Sequence, residues 1–420
     1  MECNIFNLGA VALFFPSLCP GHRMTTRQLW GASLGSSTSA RIIIIGTSVE
    51  YLISAITIAT RYAATRKQFG PSEDKELPVI EYQLQQWRLF PYLAAAYVMK
   101  NFSVYFGEVM VNQHVAGALG KKSMQDIGQE THALSAAGKP LYSWLSRDAI
   151  QECREACGGH GYLKVSGLGD LRNSNDACCT YEGENSVLIQ QTSNWLLQLW
   201  SRRDDKSQGP ITSPLGSVDF LSKAQEILAT RFSASTKEMA VRPETLLAAY
   251  EWLICWLLQA TNDRIKSNSD SEMDAFTAKN NAQVFYARPL SIAFLETSEI
   301  PIIGLVKLGP LYTQSVKTLS STYNEHCWLP VIRTGSYLTD GQSAQLLCDG
   351  ILDLCAQLKP DAIALVDAIA PPDFVLNSAL GGSDGHLYKN LQAAIYRTPQ
   401  VFERPSWWKD IVDWQTKSKL

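Results

Sequence analysis

The feature that most constrains the fold is the apolar run IIIIGTSVEYLISAITIAT at 42–60, in which Ile45, Val49, Leu52, Ile53 and Ile56 recur at i, i+4, i+7, i+8 and i+11. That spacing places them on one face of an α-helix. A helix from about Thr25 to Gln68 is predicted, stopped by Gly70 and Pro71. The run approaches the length of a membrane span, yet Glu50 stands at its centre among Ser and Thr, where a charge costs on the order of 3 kcal/mol in lipid. A buried core helix is expected, with no membrane span. Residues 7–19 have the length of a signal-peptide core, but Glu2 replaces the basic flank and Pro16 interrupts the run, so 1–24 stay an unassigned N-terminal segment.

The same periodicity recurs downstream. Helices are predicted over 79–114, with a kink at Pro91 where a backbone donor is lost, and over 123–138, 141–157 and 186–203. In the last of these Leu188, Trp195, Leu196 and Leu199 share a face behind an Asn185 or Ser186 cap. No strand-like alternation competes, and short connections between long helices make an antiparallel bundle spanning 25–203. The stretch DDKSQGPITSPLGS at 204–217 has the Gly, Pro, Ser and charge content of a linker. Beyond it a second helical set covers 218–410, with helices at 243–266 (opened by Pro243 at N1), 273–299, 302–325, 341–358 and 360–370. The fold class is therefore all-α, two consecutive helical bundles, followed by a polar tail at 411–420.

Composition narrows the function. Of 420 residues 46% are hydrophobic and 18% charged, enough apolar surface for packed cores. The net charge is −3 and no block of five Lys or Arg occurs, so a nucleic-acid partner is not expected. Ten cysteines lie without the spacing of a disulfide framework, and six histidines do not cluster, so reduced thiols and no metal site are expected. The chain ends Ser418-Lys419-Leu420, the tripeptide that the peroxisomal import receptor reads. A peroxisomal location follows.

Chemistry concentrates in Thr180-Tyr181-Glu182-Gly183-Glu184-Asn185, a turn-prone segment before a helix, preceded by the tight Gly158-Gly159-His160-Gly161-Tyr162 turn. The two loops are expected to meet at one end of the bundle. A carboxylate beside Gly at the mouth of an apolar bundle is partly desolvated, which raises its pKa and suits it to act as a base near neutral pH. The competing explanation is that Glu182 and Glu184 are acids favoured by the dipole of a helix N-terminus. Residue types alone leave both open. Arg66 is likewise either a cation at a helix C-terminus or an anion-binding fork.

The blocks ATRKQFGP (64–71), EYQLQQWRLFPYLAAAY (81–97), QECREACGGHGYL (151–163) and CTYEGENSVLIQQTSNWLL (179–197) resemble peroxisomal acyl-CoA oxidases, in the same order. The resemblance runs from about Leu29 to the end and includes 361–391, and PSWW (405–408) is closest to the branched-chain, pristanoyl-type members. It implies an FAD-dependent oxidation of acyl-CoA to trans-2-enoyl-CoA in fatty-acid β-oxidation, with O2 reduced to H2O2. Glu182 then occupies the position of the base that removes the α-proton. Arg66, with Gln68, would reach across a dimer interface to the flavin pyrophosphate, and Gly158 and Gly159 would give the backbone close access to the flavin. Glu155 stands where related dehydrogenases often carry a flavin-contacting Gln, and that contact is not carried over. Family members begin with a helical and a β-barrel domain that are not recognisable before Leu29, so a truncated chain is expected. It would act as a homodimer or beside a full-length oxidase; the alternative is a non-catalytic helical protein that keeps the dimerisation surface and import signal.

Overall fold

The computed structural model describes residues 26–118, 124–203, 207, 209–270, 273–304, 335–338 and 341–413. Helix α1 (Thr26–Thr65) runs through the centre. Ile45, Val49, Leu52, Ile53 and Ile56 are all buried, as their spacing requires, against α2 (Gln83–Ala118) and α3 (Met124–Ala156). Each such side chain contributes about 1.5–3 kcal/mol by leaving water. Ser37–Thr65 is the one stretch among the described residues long and apolar enough to cross a membrane, and 67% of its most apolar window is buried within the fold. Glu50 faces outward towards Lys100, 3.7 Å away.

Two departures from local expectation matter. The first helix ends at Thr65, and Lys67–Ser72 (β1) pairs antiparallel with Lys75–Pro78 (β2), placing Gln68 on a strand opposite Leu77. The second is α3, a single helix of 33 residues where two were predicted, continuing through Pro140. A mid-helix proline costs roughly 3 kcal/mol. The buried faces on either side, Ala133, Ala136 and Ala137 before it and Leu141, Tyr142 and Leu145 after it, outweigh that cost by packing as one unit. The continuation places Lys139 inside a helix rather than in a connection.

Helix α4 (Leu168–Cys178) packs on α3, and α5 (Asn185–Leu188) and α6 (Gln190–Arg202) return along it, with the Thr192 hydroxyl donating to Ala133 O at 2.7 Å. The segment 209–217, read from composition as a linker, is fastened to α3. Buried Glu130 accepts from the Ser213 hydroxyl (2.6 Å), Leu215 N (2.8 Å), Ser217 N (3.2 Å) and the Ser217 hydroxyl (2.5 Å).

The second helical set comprises α7 (Ala224–Ala229), α8 (Lys237–Ala240), α9 (Pro243–Asp270), α10 (Ala275–Asn280), α11 (Arg288–Gly304), α12 (Gly341–Leu358), α13 (Ala362–Ile369), α14 (Asp373–Leu376), α15 (Leu387–Tyr396) and α16 (Trp408–Val412). The helix predicted over 273–299 is broken into α10, a π-turn at Gln283–Ala287 and α11. Most of the helix predicted over 302–325 lies outside the described residues. Helix α11 packs on α2, α3 and α6, and α13 packs on α1, so one hydrophobic core runs through both sets. Arg61, 8% exposed, fastens the distal part: it donates to Asp367 Oδ1 (2.9 Å), Asp373 Oδ1 (3.2 Å) and Gly381 O (2.7 Å).

Candidate active site

The loop carrying Glu182 begins where α4 ends. Thr180 N and Tyr181 N both donate to Ala177 O, at 3.0 and 3.2 Å, and Asn185 N closes the loop on Cys179 O at 3.1 Å. Closure in so few residues forces the backbone left-handed: φ is 57° at Glu182 and 110° at Gly183. Glycine adopts this freely, but at Glu182 it stores about 1–3 kcal/mol, and such strain persists only where neighbours fix it. Here the neighbours are two cations. Arg41 Nε donates to Glu182 O at 3.2 Å, and Lys139 Nζ to Gly183 O at 2.7 Å.

Lys139 is fully buried beneath the loop and also donates to Asn185 Oδ1 at 2.8 Å. Burial pushes its ammonium down to about 8, opposed by the charges of Cys179, Cys178 and Glu184. Arg41 also lies near His132, whose Nδ1 is 3.4 Å from Arg41 Nη1; burial, then the Arg41 charge, lowers the imidazole pKa. Glu184 caps α5, its Oε2 accepting from Ser186 N (2.9 Å) and Val187 N (3.1 Å). The cap is thus Glu184, not Asn185 or Ser186. Asn185 is buried because its side chain is spent on Lys139 and on Ser143 Oγ, to which its Nδ2 donates at 2.9 Å.

Glu182 is exposed, as are Tyr181, Gly183 and Glu184. The expected partial desolvation of Glu182 is therefore not supplied by the described residues of this chain, because the loop caps the outside of α3 and α4. Its carbonyls are taken by the two cations, and its exposed carboxylate lies within electrostatic reach of Arg41, whose guanidinium pKa burial lowers and the Glu182 charge raises. The geometry presents an open carboxylate on a fixed backbone, an acceptor only when ionised and able to take a proton from an approaching C–H acid.

Arg66 belongs to a different place. Its Nη1 donates to the hydroxyl of Tyr388 on α15, and the Gln68 amide, turned so that its oxygen faces the guanidinium, accepts from Nη2 (2.5 Å) and Nε (3.2 Å). The Gly158–Tyr162 turn joins this cluster through His160, whose Nδ1 is 3.0 Å from Tyr62 Oη and whose ring meets that of Tyr388 edge-on. Burial and nearby Cys157 push the Tyr62 phenol up to about 12. Gly158 has φ 56°, and a Cβ built at Gly158 or Gly159 would meet nothing within 4 Å, so their backbone is open to a ligand. Gly161 is structural, since a Cβ there would lie 2.0 Å from Arg154 O.

The two loops do not meet. Arg41 and Tyr62 stand 21 residues apart on α1, an axial rise of about 32 Å. Lys139 and Ala156, which flank the two loops on α3, are about 25 Å apart by the same rise. The structure thus groups Arg66, Gln68, Gly158 and Gly159 at one level of the bundle and Glu182 at another. Lys139 and Arg41 were not evident in the sequence: with helices read over 123–138 and 141–157, Lys139 falls in the connection between them. A lysine between Ala136–Ala137 and Leu141–Tyr142 on one continuous helix would have pointed to a buried cation. Seven described cysteines are free thiols, and no group of three or more metal-binding side chains occurs among the described residues.

Comparison with known proteins gives a consistent picture. Residues 34–197 match the family model "Acyl-CoA oxidase, C-alpha1 domain", and 242–300 with 318–417 match the model "Acyl-CoA oxidase". The chain is 43% identical over 395 residues to peroxisomal acyl-coenzyme A oxidase 3 of Homo sapiens, covering 91% of this chain and 56% of that protein. Among solved structures it is similar to Arabidopsis thaliana acyl-CoA oxidase 1, with a TM-score of 0.82 at 26% identity over 95% of this chain and 59% of that one. It shares the fold of Caenorhabditis elegans acyl-CoA oxidase-2, solved with FAD, ascaroside-CoA and ATP, with a TM-score of 0.79 at 22% identity over 93% of this chain and 57% of the other. The chain therefore spans a little over half the length of these relatives.

Proposed function

The chain belongs to the acyl-CoA oxidase family, and from that premise we propose that it acts in peroxisomal fatty-acid β-oxidation, taking acyl-CoA to trans-2-enoyl-CoA with Glu182 as the base. The observation that carries this reading is the Glu182 loop, a strained backbone held from below by Arg41 and Lys139 with its carboxylate outward. Glu182 takes the α-proton of the thioester, and the electron pair of that C–H bond becomes part of the new double bond. A positioned base contributes about 10²–10⁴-fold, or roughly 3–5 kcal/mol of barrier.

The Arg66 cluster fits the diphosphate of FAD. Its guanidinium is met by two neutral partners, Tyr388 and Gln68, which an anion would displace, and the Gly158–Gly159 backbone beside it is open. Bound FAD would accept the β-hydride and pass its electrons to O2, giving H2O2. Because Arg66 and Glu182 lie at different levels of α1, the two serve different cofactor molecules, in keeping with Arg66 reaching across a dimer or towards a full-length oxidase.

One observation favours a second reading, a helical protein that pairs with an oxidase without catalysis: no described element of this chain covers Glu182. The test is to load the purified chain with FAD, alone and with a full-length oxidase, and mix it anaerobically with saturated acyl-CoA. Bleaching of the flavin, and H2O2 on admitting air, supports the oxidase. Pairing without any bleaching attributable to this chain selects the second reading. Ser418-Lys419-Leu420 lies outside the described residues; removing Leu420 should move the protein from peroxisomes to the cytosol, checked by fractionation.

A further inference from the structure

We propose that Lys139 is a positioning residue for Glu182: its ammonium, sealed beneath the loop, holds the Gly183 carbonyl and the Asn185 side chain and so keeps Glu182 left-handed with its carboxylate outward. The proposal rests on Glu182 being the base, but the hold itself is a property of this chain.

Three observations carry it. First, Lys139 is a fully buried cation whose bonded partners are neutral oxygens, at 2.7 Å on Gly183 and 2.8 Å on Asn185. An apolar side chain of the same length would stabilise the interior better, so packing alone does not account for the lysine. The lowering of its pKa by burial shows the same penalty.

Second, the hold is built from consecutive turns of α3. Ser143, four residues on, accepts from Asn185 Nδ2 at 2.9 Å and donates to Lys139 O at 2.8 Å, while Asn175 Nδ2 on α4 donates to Ser143 O at 3.0 Å. Asn185 is thereby gripped at both ends of its amide. Third, the successive carbonyls of Glu182 and Gly183 are captured by different cations from different helices, Arg41 on α1 and Lys139 on α3. The two fixed carbonyls pin the 182–183 peptide and the torsions of Gly183, while Tyr181 N is tied to Ala177 O on the other side, so Glu182 is bracketed and its φ of 57° has no slack in which to relax.

The test is hydrogen–deuterium exchange of the full chain, comparing wild type, Lys139→Met and Glu182→Gln in peptides covering 179–190. Lys139→Met should speed exchange of the Asn185, Ser186 and Val187 amides by about 10-fold or more, a typical local-opening effect, while peptides from α1 and α9 stay unchanged. Glu182→Gln should leave the loop as protected as wild type. In the FAD-loaded assembly Lys139→Met should slow flavin reduction by acyl-CoA without weakening acyl-CoA binding, because Lys139 does not face solvent. Wild-type protection of 179–190 in Lys139→Met overturns the proposal, whatever Glu182 does. Fast loop exchange in Lys139→Met together with normal flavin reduction in Glu182→Gln overturns the base but leaves the hold standing. If neither Lys139→Met nor Lys139→Gln folds, the lysine is a requirement of the fold and the positioning role is wrong.

Discussion

Two acidic regions of the molecule are built on opposite plans. At the Glu182 loop the carboxylate is exposed, the backbone is strained, and two cations hold the chain by its carbonyls. On α11, Glu296 and Glu299 stand one turn apart on a regular helix, 2% and 0% exposed, with the phenols of Tyr142 and Tyr250 beside them. Burial pushes Glu299 up to about 8, and burial with the Glu299 charge raises Glu296 well above the carboxylate range. The strongly perturbed acids are thus the inaccessible ones. Shifted acidity alone tracks burial, whereas a base acting on substrate needs access and a fixed backbone.

The largest effect that could break this contrast is catalytic. In the FAD-loaded assembly, Glu182→Gln should slow single-turnover flavin reduction by at least about 10²-fold, the lower end of what a positioned base supplies. Glu299→Gln should leave that rate within about twofold, having no path to substrate. A normal rate in Glu182→Gln, or a collapse in Glu299→Gln, would reverse the roles of the two regions.

The next effect sharpens the α11 side. The folded state keeps a proton on Glu299 up to about pH 8, while the unfolded chain loses it near its ordinary value of about 4.3. Its contribution to stability is therefore complete below the unfolded value and is lost as pH rises to the folded one. Glu299→Gln should match wild type near pH 4 and exceed it by on the order of 3 kcal/mol at pH 8, discounted from the full shift for relaxation around the ion. Parallel denaturation midpoints across this range would show that the carboxyl is solvated after all.

Smaller again is Arg66→Ala, which should weaken flavin retention by roughly 10-fold, from loss of one charged hydrogen-bonding group worth about 1.5 kcal/mol at a partly exposed site, the lower end of the range for such groups. Its effect on melting temperature should be slight, since Arg66 is not part of the core. A large drop in melting temperature with unchanged flavin retention would make Arg66 structural. Smallest is Glu184→Ala, which removes the two cap bonds of α5 and should cost about 0.5–1 kcal/mol of stability while leaving flavin reduction unaltered. Loss of turnover there would shift the base from Glu182 to its neighbour.

What the sequence determined by itself is everything that periodicity encodes. The buried face of α1, the start of α9 at Pro243 and the span of α12 follow from side-chain spacing within a few turns, and the structure keeps them. The four motif blocks likewise carry the family. What only the tertiary structure decided are the features set by residues far apart in the chain. Helix α3 runs through Pro140 because faces on both sides of it pack against the same partners. Lys67 and Gln68, read as the end of the first helix, instead open a strand, and Lys67–Ser72 pairs with Lys75–Pro78 across a stretch that periodicity left unassigned. Glu182 is exposed, with its backbone held by Arg41 and Lys139, 141 and 43 positions away in sequence. Spacing fixes which way a side chain points from its own helix; it carries no information on which helix arrives opposite, and the ammonium under Gly183 exists only once α1, α3 and α4 have packed.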